Sequence, residues 1–131
     1  MIKHLSTLAL ALALATPAAA QTFRAENRVD VTPVANGFAI ADGNGQWARG
    51  MWCAAADYAR DVLGAGGTQR IYVAKSKGRG AGNPVIFTLD PTGLTPSSVT
   101  FLSSSIKTPG ANLSVDQANV YCADFRLRNG R

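Results

Sequence analysis

The chain has 131 residues, with 13 basic and 8 acidic side chains, a net charge of +5 and a single histidine, His4. Residues 1–20 have the pattern of a signal peptide: a short basic start, an apolar run and small residues before Gln21. Cleavage there would leave one secreted domain, residues 21–131, and would lower the net charge to +4 by removing Lys3. Because His4 leaves with the leader, histidine-dependent catalysis and zinc sites built on imidazole are excluded.

The first predicted elements of the mature chain form a β-hairpin. Residues 21–27 have little pattern and are expected to form a loose terminus. Residues 28–32 alternate polar and apolar side chains, as half-buried strands do. The Asn36-Gly37 turn signal follows, and residues 38–40 alternate again, which predicts the second strand.

A long helix is predicted over residues 46–63. One apolar face has side chains spaced by three and four positions, namely Trp47, Met51, Ala55, Tyr58, Ala59 and Val62. Glycines in residues 64–67 end the helix. Cys53 falls on the opposite side, with Arg49 and Arg60. If Cys53 is bridged, another segment must cover that side of the helix.

The rest of the chain predicts three strands and a short helix. The strands are residues 70–74, 84–89 and 99–103, with a loop predicted over residues 107–112. The sequence 114–117 has the form of a capping box and predicts a helix, whereas alternation from residue 121 fits a strand. The helix is favoured, although residues 119–128 fit either pattern.

The predicted element order is therefore β-β-α-β-β-β-α. This order indicates a small single α+β domain with about five mainly antiparallel strands, one long helix and a short C-terminal helix. The helices are expected to cover one face of the sheet.

The two cysteines, Cys53 and Cys122, are predicted to form a disulfide, because the leader directs the chain to an oxidising compartment, the periplasm or the exterior. A redox-active pair is the alternative. It is disfavoured because such pairs usually stand two residues apart. With both cysteines committed, no metal site and no cofactor are expected.

A basic loop, Lys75, Lys77 and Arg79, is the most suggestive candidate for binding an anionic partner. Its glycines would let an anion approach backbone N–H groups. The alternative, which the composition favours, is a solvated hairpin loop whose charges keep neighbouring strands from aggregating.

Other candidate motifs have plainer explanations. Residues 42–45 open like a calcium loop, but Trp47 and Cys53 replace its required glycine and glutamate, which favours a turn. Residues 104–107 match the Ser-x-x-Lys pattern of penicillin-recognising enzymes, in a chain too short for that family. This match is interpreted as coincidence.

Two further clusters lie on the predicted long helix. The carboxylates Asp57 and Asp61 could share acid–base work, although a solvated charged stripe is favoured. The aromatic residues Trp47, Trp52 and Tyr58 could line a ligand groove, although their spacing favours the core.

These patterns indicate a secreted or periplasmic, non-enzymatic protein that binds a partner or associates with the envelope. The expected partner is another protein or an anionic envelope component rather than nucleic acid, and the basic loop is its candidate contact. The alternative is a small hydrolase that uses carboxylates or a Ser-Lys arrangement.

Overall fold

The computed structural model describes residues 21–77, 82–98 and 105–130. Within these ranges the chain forms seven strands and three helices. In chain order they are β1 (Phe23–Arg24), β2 (Asp30–Val34), β3 (Gly37–Ile40), α1 (Trp47–Asp61), β4 (Arg70–Lys75), β5 (Val85–Thr88), β6 (Ser97–Ser98), β7 (Ala111–Ser114), α2 (Val115–Val120) and α3 (Cys122–Arg128).

The strands form one sheet in the order β1-β2-β3-β5-β4-β7-β6. Neighbouring strands are antiparallel except for β6 and β7, which run parallel. The predicted hairpin is confirmed, since Val34 pairs with Gly37 across a two-residue turn. The α+β class is also confirmed, with seven described strands instead of about five. The predicted strand over residues 99–103 lies outside the described residues.

Two strands lie where the sequence predicted loop or loose chain. In the supposedly loose segment 21–27, Phe23 pairs with Val31, and the Ala25 N–H donates to the Val29 carbonyl at 2.9 Å. In the predicted loop 107–112, Ala111 already begins β7, which lies between β4 and β6. All four residues of β7 are buried, so this strand belongs to the core of the sheet.

Helix α1 lies between the sheet and the C-terminal helices. On its sheet side, Trp52 packs edge-on against Phe87, with ring centroids 5.0 Å apart. On its other side, Cys53 forms a disulfide with Cys122 of α3. Every residue of α1 from Gly50 to Ala59 is therefore buried. The prediction of a single apolar face was wrong here, because the C-terminal helices cover the second side.

The C-terminal segment is helical, as the favoured interpretation predicted. The capping box forms: the Ser114 hydroxyl accepts the Gln117 N–H at 3.1 Å, and the Gln117 side chain accepts the Ser114 N–H at 3.0 Å. Helices α2 and α3 follow, separated only by Tyr121. In the part of the chain that the structure describes, no helix combines the length and apolar character needed to cross a bilayer.

Candidate functional site

A groove of about 460 Å³ lies beside the start of α1. Its apolar wall includes Trp47, Met51 and Ile106, and two cations, Lys77 and Lys107, also line it. We call this feature the Trp47 groove. It combines an apolar surface with positive charge.

The sheet topology explains why the two lysines line the same groove. Strands β4 and β7 are antiparallel neighbours, so the chain leaves β4 at the same end of the sheet at which it enters β7. The Gly110 N–H donates to the Val73 carbonyl at 2.7 Å and fixes this alignment. Lys77 follows β4 and Lys107 precedes β7, so both reach the same end of the molecule although they are distant in sequence.

Trp47 is the most exposed large apolar residue in the described part of the chain, with 85% of its surface accessible. Its backbone also has a φ of 53°, in the left-handed region that a bulky side chain rarely adopts. Such a conformation costs about 1–3 kcal/mol and persists only where the surroundings impose it. The prediction that Trp47 belongs to the core was wrong.

A turn ahead of α1 imposes this conformation. The Gln46 N–H donates to the Gly43 carbonyl at 3.1 Å. Gly43 lies so close to the helix that a Cβ there would stand 2.0 Å from the Trp47 carbonyl oxygen. The helix therefore begins tightly folded against its leading turn, and the indole is held out in solvent.

The charges around the groove are net positive. Asp42 also lines it, but one carboxylate oxygen accepts the Asn44 N–H at 2.9 Å and closes the turn. This turn is the structure that the sequence favoured over a calcium loop. The first turn of α1 holds no acidic residue, and the Gln46 side chain makes no capping hydrogen bond within the described residues. No acidic side chain of the first turn therefore offsets the positive end of the helix dipole, which lies beside the groove.

The predicted basic loop is divided by the structure. Lys77 lines the Trp47 groove, whereas Lys75 lines a separate hollow of about 140 Å³ beside Ile86. Arg79 lies outside the described residues. Lys107 joins Lys77 instead, and sequence reasoning missed it as a partner because only the pairing of β4 with β7 brings them together.

The Ser-x-x-Lys match does not form a described Ser–Lys pair. Ser105 accepts a hydrogen bond from the backbone N–H of Lys107 at 3.3 Å, which makes a local turn. Ser104, the first residue of the pattern, lies outside the described residues.

The carboxylate pair on α1 is not a solvated stripe. Asp57 is buried, and its carboxylate accepts the Glu26 N–H at 2.7 Å. Burial raises the pKa of Asp57, and a hydrogen bond with Asp61 raises it further, against the opposing effect of the Glu26 N–H. The favoured interpretation, a solvated charged stripe, was therefore wrong for Asp57. Its carboxylate links the turn after β1 to helix α1.

The other aromatic residues of α1 are core residues, as favoured. Trp52 is fully buried, and Tyr58 packs against Phe38 with ring centroids 4.7 Å apart. Trp47 alone of the three candidates lines the groove.

One cluster in the described residues has metal-ligand geometry: atoms of Glu26, Cys53 and Cys122 lie within 4.8 Å of one another. The two sulfurs are bonded to each other, so neither is a thiolate ligand. In this oxidised form the cluster does not fit a metal ion.

The chain matches no protein-family model, and no significant match was found among curated proteins or among solved structures.

Proposed function

We propose that this chain is a secreted or periplasmic, non-enzymatic binding protein that contacts an anionic envelope component through the Trp47 groove. The signal-peptide pattern of residues 1–20 supports export. The buried disulfide between Cys53 and Cys122 supports an oxidising compartment, where such bonds persist.

The observation that carries this proposal is the convergence of Lys77 and Lys107 beside the exposed indole of Trp47. Two ammonium groups attract phosphate or carboxylate groups of an envelope surface. Tryptophan suits the boundary between water and an apolar phase, because its ring is apolar and its N–H can still donate. The strain at Trp47 is the kind of backbone feature that concentrates at functional sites.

A binding role also fits the carboxylates better than the hydrolase alternative. The buried carboxylate of Asp57 already accepts the Glu26 N–H and interacts with Asp61. It serves to hold the fold together. Lys107 and Ser105 interact through the lysine backbone N–H, and Lys107 lines the groove.

The test measures binding of the mature chain, residues 21–131, to vesicles of phosphatidylglycerol, with phosphatidylcholine vesicles as the neutral reference. A double variant, Lys77→Ala with Lys107→Ala, is expected to lose about 2 kcal/mol of binding, or roughly thirtyfold in affinity. Binding should also weaken with added salt, because exposed charges are screened.

The matched control is Arg24→Ala with Lys75→Ala, which removes the same charge away from the Trp47 groove. Little loss is expected, because Arg24 pairs with Asp30 and Lys75 lines the separate hollow. Equal losses in both double variants would show attraction by net charge alone, and absence of binding to phosphatidylglycerol would reject the proposal.

A further inference from the structure

We infer that the Trp47 groove binds a single-chain anionic amphiphile, with its head group between Lys77 and Lys107 and its alkyl chain along Trp47, Met51 and Ile106. This inference rests on the proposed function and makes it more specific. It assigns the ligand a chemistry that a purely polyanionic surface lacks.

The apolar wall is the first argument. Trp47 and Met51 belong to α1, whereas Ile106 lies in the segment before β7, so two distant parts of the chain line the same groove. A polyanion needs only cations, whereas an exposed indole gains by removing its apolar area from water. Met51 lines the groove but is only 2% exposed, so most of the accessible apolar surface belongs to Trp47 and Ile106.

The volume is the second argument. The groove encloses about 460 Å³, within the range of about 300–1,000 Å³ that is usual for sites of small molecules. The turn before α1 and the close contact between Gly43 and Gly50, where a Cβ on Gly50 would lie 2.0 Å from the Gly43 carbonyl oxygen, pre-form one end of it. A preformed apolar groove binds an alkyl chain at a low entropic cost.

The distribution of charge orients the ligand. Lys77 and Lys107 provide ammonium donors for a phosphate or carboxylate head group. The carboxylate of Asp42 also lines the groove and accepts the Asn44 N–H, so the two lysines leave one net positive charge there, and the first turn of α1 adds no acidic residue. The anionic head group is therefore bound by electrostatic attraction to the lysines, and the alkyl chain by contact with apolar side chains.

The test is titration calorimetry of the mature chain with n-alkyl phosphates from butyl to dodecyl, each below its micelle concentration. Inorganic phosphate provides the head group alone, and dodecyl maltoside provides the tail with a neutral head. Affinity is expected to rise up to about fourfold per added methylene until the groove is filled. Inorganic phosphate and dodecyl maltoside should both bind at least tenfold more weakly than dodecyl phosphate.

Variants assign the binding to this groove. Trp47→Ala should weaken dodecyl phosphate binding about tenfold without unfolding the chain, because the indole is exposed. Leu127→Ala is the matched control, since Leu127 is 78% exposed on α3 and does not line the groove. As a second readout, dodecyl phosphate should protect Trp47 from iodide quenching, to which the buried Trp52 contributes little.

The possible failures are distinguishable. If phosphatidylglycerol vesicles bind but dodecyl phosphate binds no more tightly than inorganic phosphate, the amphiphile is rejected and the proposed function stands. Equal binding of dodecyl maltoside, or equal losses in the Trp47 and Leu127 variants, would also reject it. If neither vesicles nor alkyl phosphates bind, both proposals fail.

Discussion

The carboxylate of Glu26 accepts two hydrogen bonds from the guanidinium group of Arg126, at 2.5 Å from Nη2 and 3.0 Å from Nε, across 100 positions of sequence. The backbone N–H of Glu26 at the same time donates to Asp57 of α1. The turn after β1 is therefore fastened both to the long helix and to α3. The hydrogen bonds to Glu26 also raise the pKa of Arg126.

The Glu26–Arg126 pair is expected to contribute about 1 kcal/mol to the free energy of unfolding. Its bidentate geometry favours a measurable contribution, while the two side chains, 29% and 39% exposed, remain partly screened by water. A double-mutant cycle in urea with Glu26→Gln and Arg126→Met measures this coupling.

The matched control cycle uses Arg24 and Asp30, whose atoms are 3.5 Å apart and whose side chains are mostly exposed. Its coupling should be close to zero. Equal coupling in the two cycles would contradict the special role of the Glu26–Arg126 pair.

The disulfide is expected to supply about 4 kcal/mol of stability, because it closes a loop with a sequence separation of 69 residues. Replacing Cys53 and Cys122 together by alanine should lower the melting temperature by more than about 10 °C. Scanning calorimetry measures the change.

Intact mass after alkylation provides the check on the bond itself. Protein expressed with its leader and denatured without reductant should show no alkylated thiol, and two alkylated thiols should appear only after reduction. Two alkylatable thiols without reductant would contradict the disulfide and support a redox role.

Asp57 should make stability depend on pH. Burial first, and then its neighbour Asp61, raise the pKa of Asp57 above the ordinary value of 3.8, so the folded chain holds this proton more tightly than the unfolded chain. The resulting stabilisation is complete below the unfolded value and is lost as pH rises through the folded one. Asp57→Asn keeps an acceptor for the Glu26 N–H and should reduce this loss.

Urea unfolding across this pH window compares Asp57→Asn with the unmodified chain and with Asp90→Asn. Asp90 is the control because its pKa shifts in the opposite direction: hydrogen bonds from Thr92 lower the pKa of Asp90. Removing that carboxylate should leave the Asp57 effect in place. An unchanged pH dependence in Asp57→Asn would show that the buried carboxylate is not responsible.

Zinc binding should depend on the state of the disulfide. In oxidised protein the sulfurs beside Glu26 are bonded to each other, so elemental analysis after dialysis should find no stoichiometric zinc. Reduction would free two thiolates, which with the Glu26 carboxylate provide three ligands. A closed tetrahedral zinc site needs four. Stoichiometric zinc in the oxidised protein would contradict this expectation.

Local patterns were sufficient to predict the hairpin, the long helix and the capping box. The alternation around Asn36-Gly37 and the reciprocal side chains of Ser114 and Gln117 are properties of adjacent residues. Strand β7 was missed because Asn112 and Ser114 lack strand propensity. Its position in the sheet is set instead by pairing with β4. In addition, the Arg70 side chain of β4 donates a hydrogen bond to the Asn112 side chain of β7 at 2.8 Å.

The candidate site was only partly predictable for the same reason. The cationic character of Lys77 was visible in sequence, but its nearness to Lys107 depends on the register of β4 against β7. Helical spacing placed Trp47 with the apolar residues of α1. The spacing cannot reveal that the first residue of the helix has a positive φ and lies beyond the covering layers.

The two-residue strand β1 has a consequence for self-association. Among the described residues it pairs with Asp30 and Val31 of β2 alone, and the adjoining stretch of β2 contains Pro33, which has no N–H to offer another strand. A long unpaired strand would present a regular row of donors and acceptors to a second molecule. At this side of the sheet the row is short and interrupted, so the fold itself opposes growth of the sheet from one molecule into the next.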